Sequence, residues 1–245
     1  EGLSDLQALG LLQPNGQLSP TGRQLSTLGV HPRLGLLMLE ARLRGCSKLG
    51  CDLAALLSER DPLAGRDAGC DLEARLSVVD QHRTLRERSR QLQQQLERLG
   101  PPTTKNNHAA NAAELVLRAF PQWLAQERPG QPGRYLLRQG RGAVLSPQDP
   151  LRGSSALAVA RVDTGGRDTL IQLALPLDSS ALEKLGEREG SWIDSVSWDA
   201  SRQQVKAERR LQLGDLVLRR TPQRAPSAEQ CQALLLNALH EAGTL

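Results

Sequence analysis

The hydrophobic period of this chain changes at Gly130-Gln-Pro-Gly133. Upstream, apolar residues recur every three or four positions, the spacing that lines up one face of a helix. Downstream they alternate, the spacing that lines up one face of a strand. That change constrains the fold more than any other feature: a helical part followed by a β part, an α+β architecture. Composition agrees. The apolar side chains are mostly Leu, Ala and Val, with five aromatic residues in 245, which suits helices packed through Leu ridges and leaves few rings for stacking.

In the helical part, Leu6, Leu9, Leu11 and Leu12 form a stripe that stops at Pro14-Asn-Gly16. Ser19-Pro20 supplies an N-cap and first-turn proline for a helix carrying Leu25 and Leu28. Pro32 starts another, with Leu34, Leu37, Met38 and Ala41 inward and Gly45 at its end. Leu49, Leu53, Ala54, Leu56 and Leu57 mark the next, before Asp61-Pro62 breaks the run. Asp71 caps a segment read as one long amphipathic helix to Leu99, and Ala109–Phe120 is a further helix ended by Pro121. The chain opens on Glu1 within an apparent helix, so a fragment of a longer protein is expected.

Beyond Gly133, Arg134–Arg138, Ala143–Leu145, Leu157–Val162 and Thr169–Leu175 read as strands, the last two joined through Gly165-Gly166. Asp178 caps a short helix to Leu185. Trp192–Trp198, Val205–Leu213 and Leu216–Arg220 alternate again, and Pro226 opens a final helix. About six short strands with Gly turns predict a small barrel of the OB-like kind. Alternation puts Trp192 and Trp198 on one face, which reads as core packing; Tyr135 and Trp198 are the rings with an alternative role in base stacking.

Motifs for catalysis are absent from the sequence. There is no Gly-x-x-x-x-Gly-Lys-Ser/Thr to cradle phosphates and no Asp-Glu-x-His to hold a metal and place water. His31, His82, His108 and His240 are scattered, and Cys46, Cys51, Cys70 and Cys231 lack metal-ligand spacing. No catalytic residue, metal site or cofactor is therefore expected in this chain. Reduced thiols, the lack of a leader and the lack of a ~20-residue apolar run predict a cytoplasmic protein without a membrane partner.

Net charge is +4 with only four lysines, so the cations are mostly arginine, the side chain whose fork matches phosphate. A GC-rich genome enriches arginine as well. The candidates for contact with a single-stranded polyanion such as RNA are Arg134, Arg138 and Arg141 on the first hairpin, and Arg209, Arg210, Arg219 and Arg220 on the last. Between Arg202 and Arg224, seven basic residues face only Glu208 and Asp215. The same arginines on outward strand positions also serve to solvate a sheet and blunt its edges. Gln122–Gly130 holds a single basic residue, which weakens a claim of such contact there.

The order of short motifs resembles the C-terminal region of bacterial HrpB-type DEAH-box helicases. The resemblance rests on Leu28-Gly-Val-His-Pro-Arg-Leu34, Leu53–Asp61, Gly133-Arg-Tyr-Leu-Leu-x-x-Gly-Arg-Gly142, Asp149-Pro-Leu151 and Ala174-x-Pro-Leu177. It extends through Val196-x-Trp198-Asp199 and Leu213-Gly-x-Leu-Val-Leu218. It implies a remnant of a winged-helix domain over residues 1–30, a ratchet-like helical domain over 31–128, and an OB-like β domain with a C-terminal helix over 129–245. It further implies a parent enzyme that hydrolyses ATP with magnesium and separates RNA strands. This chain would be the accessory part that guides single-stranded RNA and braces the N-terminal motor lobes, with Arg33 and Arg60 at the motor interface. Two other readings stand beside it: a protein-interaction adaptor that binds no nucleic acid, and a DNA-directed regulator using the winged helix.

Overall fold

A computed structural model describes residues 2–64, 69–102, 110–199 and 204–222. The chain divides into two compact units, Glu1–Leu137 with Arg141–Leu177, and Arg138–Gly140 with Asp178–Leu245.

The first unit begins with α1 (Gly2–Ala8), α2 (Pro20–Ser26), α3 (Pro32–Leu43) and α4 (Ser47–Ser58), followed by α5 (Leu72–Leu76), α6 (Arg83–Glu97) and α7 (Ala112–Ala119). Several start where their caps dictate. Ser19 Oγ accepts from the Gly22 amide at 3.0 Å and Pro20 occupies the first turn of α2, a cap worth about 1 kcal/mol. Asn111 caps α7 in the same way. The face of α3 predicted to point inward is buried, and so are Leu36 and Leu39; a helix apolar almost all round is the centre of a bundle. Helices α4 and α7 pack against it. Gly50 permits the close approach of α4, since a Cβ there would collide with Ala41 Cβ.

The single helix expected from Asp71 to Leu99 is two. Asp71 does cap α5, accepting from the Glu73 amide at 2.8 Å, but the chain breaks through a 3₁₀ turn at Val79–Gln81 before α6. The β-branched pair Val78-Val79 weakens helix continuation, and the break lets Val79 reach the interior.

The same unit ends in a closed barrel of β1 (Leu124–Glu127), β2 (Arg134–Leu137), β3 (Gly142–Val144), β4 (Ala156–Asp163) and β5 (Thr169–Leu177), in the order β1-β2-β3-β5-β4. All neighbours are antiparallel except β3 and β5, which run parallel. Tyr135, Leu137, Leu157, Val159 and Ile171 fill the interior. The helices and the barrel are tied by side chains. Arg161 donates to the Leu57 carbonyl at 3.2 Å, and Asp149 accepts from the Cys70 amide at 2.8 Å and the Leu151 amide at 2.9 Å. Arg75, 5% exposed, grips Asp61 through two nitrogens at 2.8 and 2.9 Å. Burial works to raise the Asp61 carboxyl, but Arg75 and the Leu63 amide hold it below the usual range.

The second unit contains α8 (Ser179–Glu189), capped by Asp178 as expected, and a three-stranded antiparallel sheet of β6 (Ser191–Asp199), β7 (Gln204–Leu213) and β8 (Leu216–Pro222). Gly186 of α8 meets Leu211 and Leu218, where a Cβ would stand 2.7 Å from the Leu218 side chain. This corrects the expectation of one barrel from about six strands. The barrel takes only the earlier strands plus β1, a segment that the helical period around it conceals, and the last three strands form a sheet of their own. Leu124–Glu127 follows a helix and Pro121 directly, and its four residues are too short to declare an alternation. The expected helix from Pro226 lies outside the described residues. Within them, no helix is long and apolar enough to cross a membrane.

Candidate nucleic-acid interface

Side-chain geometry divides the seven predicted RNA-contact arginines into separate settings. In the first unit, Arg134 at the start of β2 and Arg141 at the entry to β3 line an open pocket of about 360 Å³ on the barrel. Two residues that sequence reasoning missed share it: Arg128 from the β1–β2 connection and Arg167 from the β4–β5 loop. The Arg128 guanidinium lies 3.5 Å from the point where a Cβ on Gly142 would stand, so it reaches across to β3. All four arginines are exposed, and none has an ion-pair partner among the described residues. Asp168 is the one acidic residue in the lining, with Thr164 and Thr169 adding hydroxyls. The signal available in the sequence was an arginine beside glycine or proline in each loop, Arg128-Pro-Gly and Gly165-Gly-Arg167. Arg128 is the one basic residue of Gln122–Gly130, and it lines this pocket.

Tyr135 lines the same wall but is fully buried, donating to the Ser154 carbonyl at 2.9 Å. Burial pushes its phenol well above the usual range. It is a core residue with its hydroxyl satisfied.

In the second unit, Arg138 is ion-paired to Glu189 at 3.0 Å. Its carbonyl accepts from the Asp215 amide at 2.9 Å, a close approach that Gly214 (φ +60°) allows, since any Cβ there would collide with that oxygen. On one face of the sheet, Glu208 is covered by Lys206 at 2.8 Å, Arg210 at 2.5 Å and Arg220 at 3.1 Å, leaving its side chain 2% exposed. The bond from Lys206 first, then that from Arg210, hold the carboxyl down at about 2 against the opposing effect of burial. On the other face, Trp192 stands 38% exposed with the Arg219 and Arg209 guanidinium carbons 5.0 and 5.5 Å from its ring centre. Trp192 and Trp198 do share that face, but Trp192 is not core: two guanidinium groups lie over its ring, and only Leu211 across the strand pair is buried. Trp198 is half-buried.

A family model described as "ATP-dependent RNA helicase HrpB, connector region" matches residues 191–223, the span of β6–β8. The ATP-dependent RNA helicase HrpB of Escherichia coli K12 is 30% identical over 240 residues, covering 97% of this chain. A crystal structure of the E. coli DExH-box NTPase HrpB superposes with a TM-score of 0.73 at 29% identity over 97% of the chain. A second, of the E. coli DEAH/RHA helicase HrpB, gives 0.71 at 28% identity over 96%. These matches support a C-terminal HrpB fragment.

The chain spans 28% of the length of the relatives it matches. Of its two predicted motor contacts, Arg33 is engaged internally. It donates to the Ala119 carbonyl at 2.7 Å and to Gln122 at 3.1 Å, pairs with Asp5 at 3.5 Å and lies over the Phe120 ring. Arg60 is exposed just past the end of α4, with no ion pair among the described residues.

Proposed function

We propose that this chain is the accessory, non-catalytic C-terminal region of an ATP-dependent RNA helicase, which guides single-stranded RNA across its barrel and braces the motor lobes of the same protein. One observation carries the reading: four guanidinium groups, none of them ion-paired among the described residues, surround one open pocket on a closed five-stranded barrel. The strand order and the parallel β3–β5 pair support the OB-like assignment. In OB-folds the face of strands 2 and 3, with the loops after strands 1 and 4, takes oligonucleotides. Arg134, Arg128 and Arg167 come from those elements, and Arg141 from the turn that joins strands 2 and 3. Arginine forks bind phosphate oxygens, and no exposed ring lines this pocket, so the strand is gripped by its backbone with little regard to sequence.

On the same reading, α1, the turn bridged by Leu12 and Leu18, and α2 are the winged-helix remnant of residues 1–30. The ratchet-like part begins at residue 31, with Arg60 presented to the motor. The OB-like part follows, and β1 brings its first residues inside the 31–128 span. ATP and magnesium belong to the parent's motor lobes. The sequence of this chain carries no phosphate-cradling motif of its own. A cytoplasmic location suits the free thiols of Cys46, Cys51 and Cys70.

The test is anisotropy of a labelled oligo-uridylate across a salt series. The expected result is affinity that falls steeply with salt and is clearly weakened when Arg134 and Arg141 are both changed to Ala. Absent or salt-independent binding would sink this reading and leave the adaptor. ATP turnover by the chain should stay at background.

A further inference from the structure

The exposed ring on the last sheet has no part in the barrel pocket and asks for an explanation of its own. Strand register puts Trp192 opposite Leu211, and Leu211 opposite Arg219, while Asp194 lies opposite Arg209 and Arg209 opposite Thr221. Directly opposed residues share a sheet face, so the ring, Arg209 and Arg219 are on one side. Helix α8 covers that side at Leu211, yet Trp192 keeps 38% of its surface open. The cations of this sheet are also not equivalent. Lys206, Arg210 and Arg220 on the opposite side are bound to Glu208. Beside the ring, Arg209 has a single loose pair with Asp194 at 3.5 Å, and Arg219 has no ion pair among the described residues.

We propose that this face is a second RNA contact, in which Trp192 stacks on one base of a single strand while Arg209 and Arg219 take the neighbouring phosphates. The proposal rests on the RNA-guiding reading and deepens it by naming what is recognised. An exposed guanidinium on an indole is worth less than a stacked base. An incoming base therefore displaces one fork from the ring, and that fork moves onto phosphate, where a charge-assisted pair replaces it. An acidic protein would satisfy the arginines but would leave the ring without the flat partner that a nucleobase supplies. The two contacts differ in kind: the barrel pocket reads phosphate, and the sheet reads the presence of a base.

The experiment compares a short oligo-adenylate with an abasic ribose-phosphate oligomer of equal length, titrated into the whole chain. The expected result is weaker binding of the abasic strand by about tenfold, the effect of losing one stacked base. Trp192→Leu, which keeps apolar bulk and lacks a π-face, should bring the two strands to equal affinity. Trp192→Phe should retain part of the discrimination and reports that the sheet is intact. Arg134→Ala with Arg141→Ala should weaken both strands alike and leave their ratio unchanged. Equal binding of the two strands to the unaltered chain, or discrimination that survives Trp192→Leu, overturns the stacking platform while the barrel reading stands. If neither strand binds, both are wrong.

Discussion

The barrel pocket and the last sheet both hold clustered arginines, but their electrostatics differ. Around the pocket, four exposed arginines line one opening with Asp168 as the only acid in the lining and no ion pair among the described residues. Like charges held together in this way store repulsion that a polyanion relieves. On the Glu208 face of the sheet, three cations share a carboxylate that they have sealed from solvent. Those cations are already neutralised in part, and a phosphate there would have to compete with Glu208. Density of basic residues in the sequence is thus a poor guide to binding; what matters is which carboxylate lies within reach.

That contrast can be broken most directly by removing the pocket arginines. Changing Arg128, Arg134, Arg141 and Arg167 together to Ala should lower oligo-uridylate affinity on the order of a hundredfold. It should also flatten the logarithmic salt dependence by about 3, at roughly 0.7 for each phosphate that is no longer neutralised. An unchanged salt slope would mean that the pocket is not where the strand binds.

Freeing the sheet's cations sharpens it. Glu208→Gln should destabilise the second unit by about 1–2 kcal/mol in urea unfolding, a figure between those for exposed and buried pairs because the three cations remain partly solvated. The same change should strengthen RNA binding and steepen its salt dependence. Loss of stability with no gain in binding would show that Lys206, Arg210 and Arg220 face no strand.

Acid separates the regions too. The Glu208 carboxyl is lowered from 4.5 to about 2 by its partners. A depressed carboxylate stabilises the fold fully above its unfolded value and loses that contribution as pH falls through its folded one. The second unit should therefore weaken between about pH 4.5 and pH 2, followed by tryptophan fluorescence, and Glu208→Gln should abolish that part of the transition. The smallest effect belongs to Arg138→Ala. Its partly exposed pair with Glu189 is worth at most about 1 kcal/mol, and RNA affinity should stay within about twofold. A reduction as large as that of Arg134→Ala would show that Arg138 contacts the strand.

What the sequence makes legible is local. Ser19, Pro20, Pro32 and Asp178 mark their helix starts because a cap involves only three or four neighbouring residues. The change of period at Gly130–Gly133 separates helices from most strands for the same reason. Strand β1 is not legible, since its pairing with β2 and β4 is decided by residues far along the chain. Nor is the split of later strands from the barrel, because alternation records that a strand has two faces and not which sheet it joins. Arg128 and Arg167 escape a sequence reading because they sit in loops that only closure of the barrel brings together. Trp192 is misassigned by its period, which places a side chain on a face without saying what covers it.

The parallel seam of the barrel has a mechanical consequence. Between β3 and β5 the register runs only through Ala143–Thr169 and Val144–Leu170, against a ladder from Ala156–Leu177 to Asp163–Leu170 between β4 and β5. The pocket straddles this short seam, with Ala143, Val144 and Thr169 in its lining. On the proposed reading, a strand laid across it would act as a suture, joining two lips that the backbone alone fastens weakly. Amide exchange at Val144 and Thr169 should slow on loading with RNA more than anywhere along β4, turning the cylinder's weakest line into a gauge of occupancy.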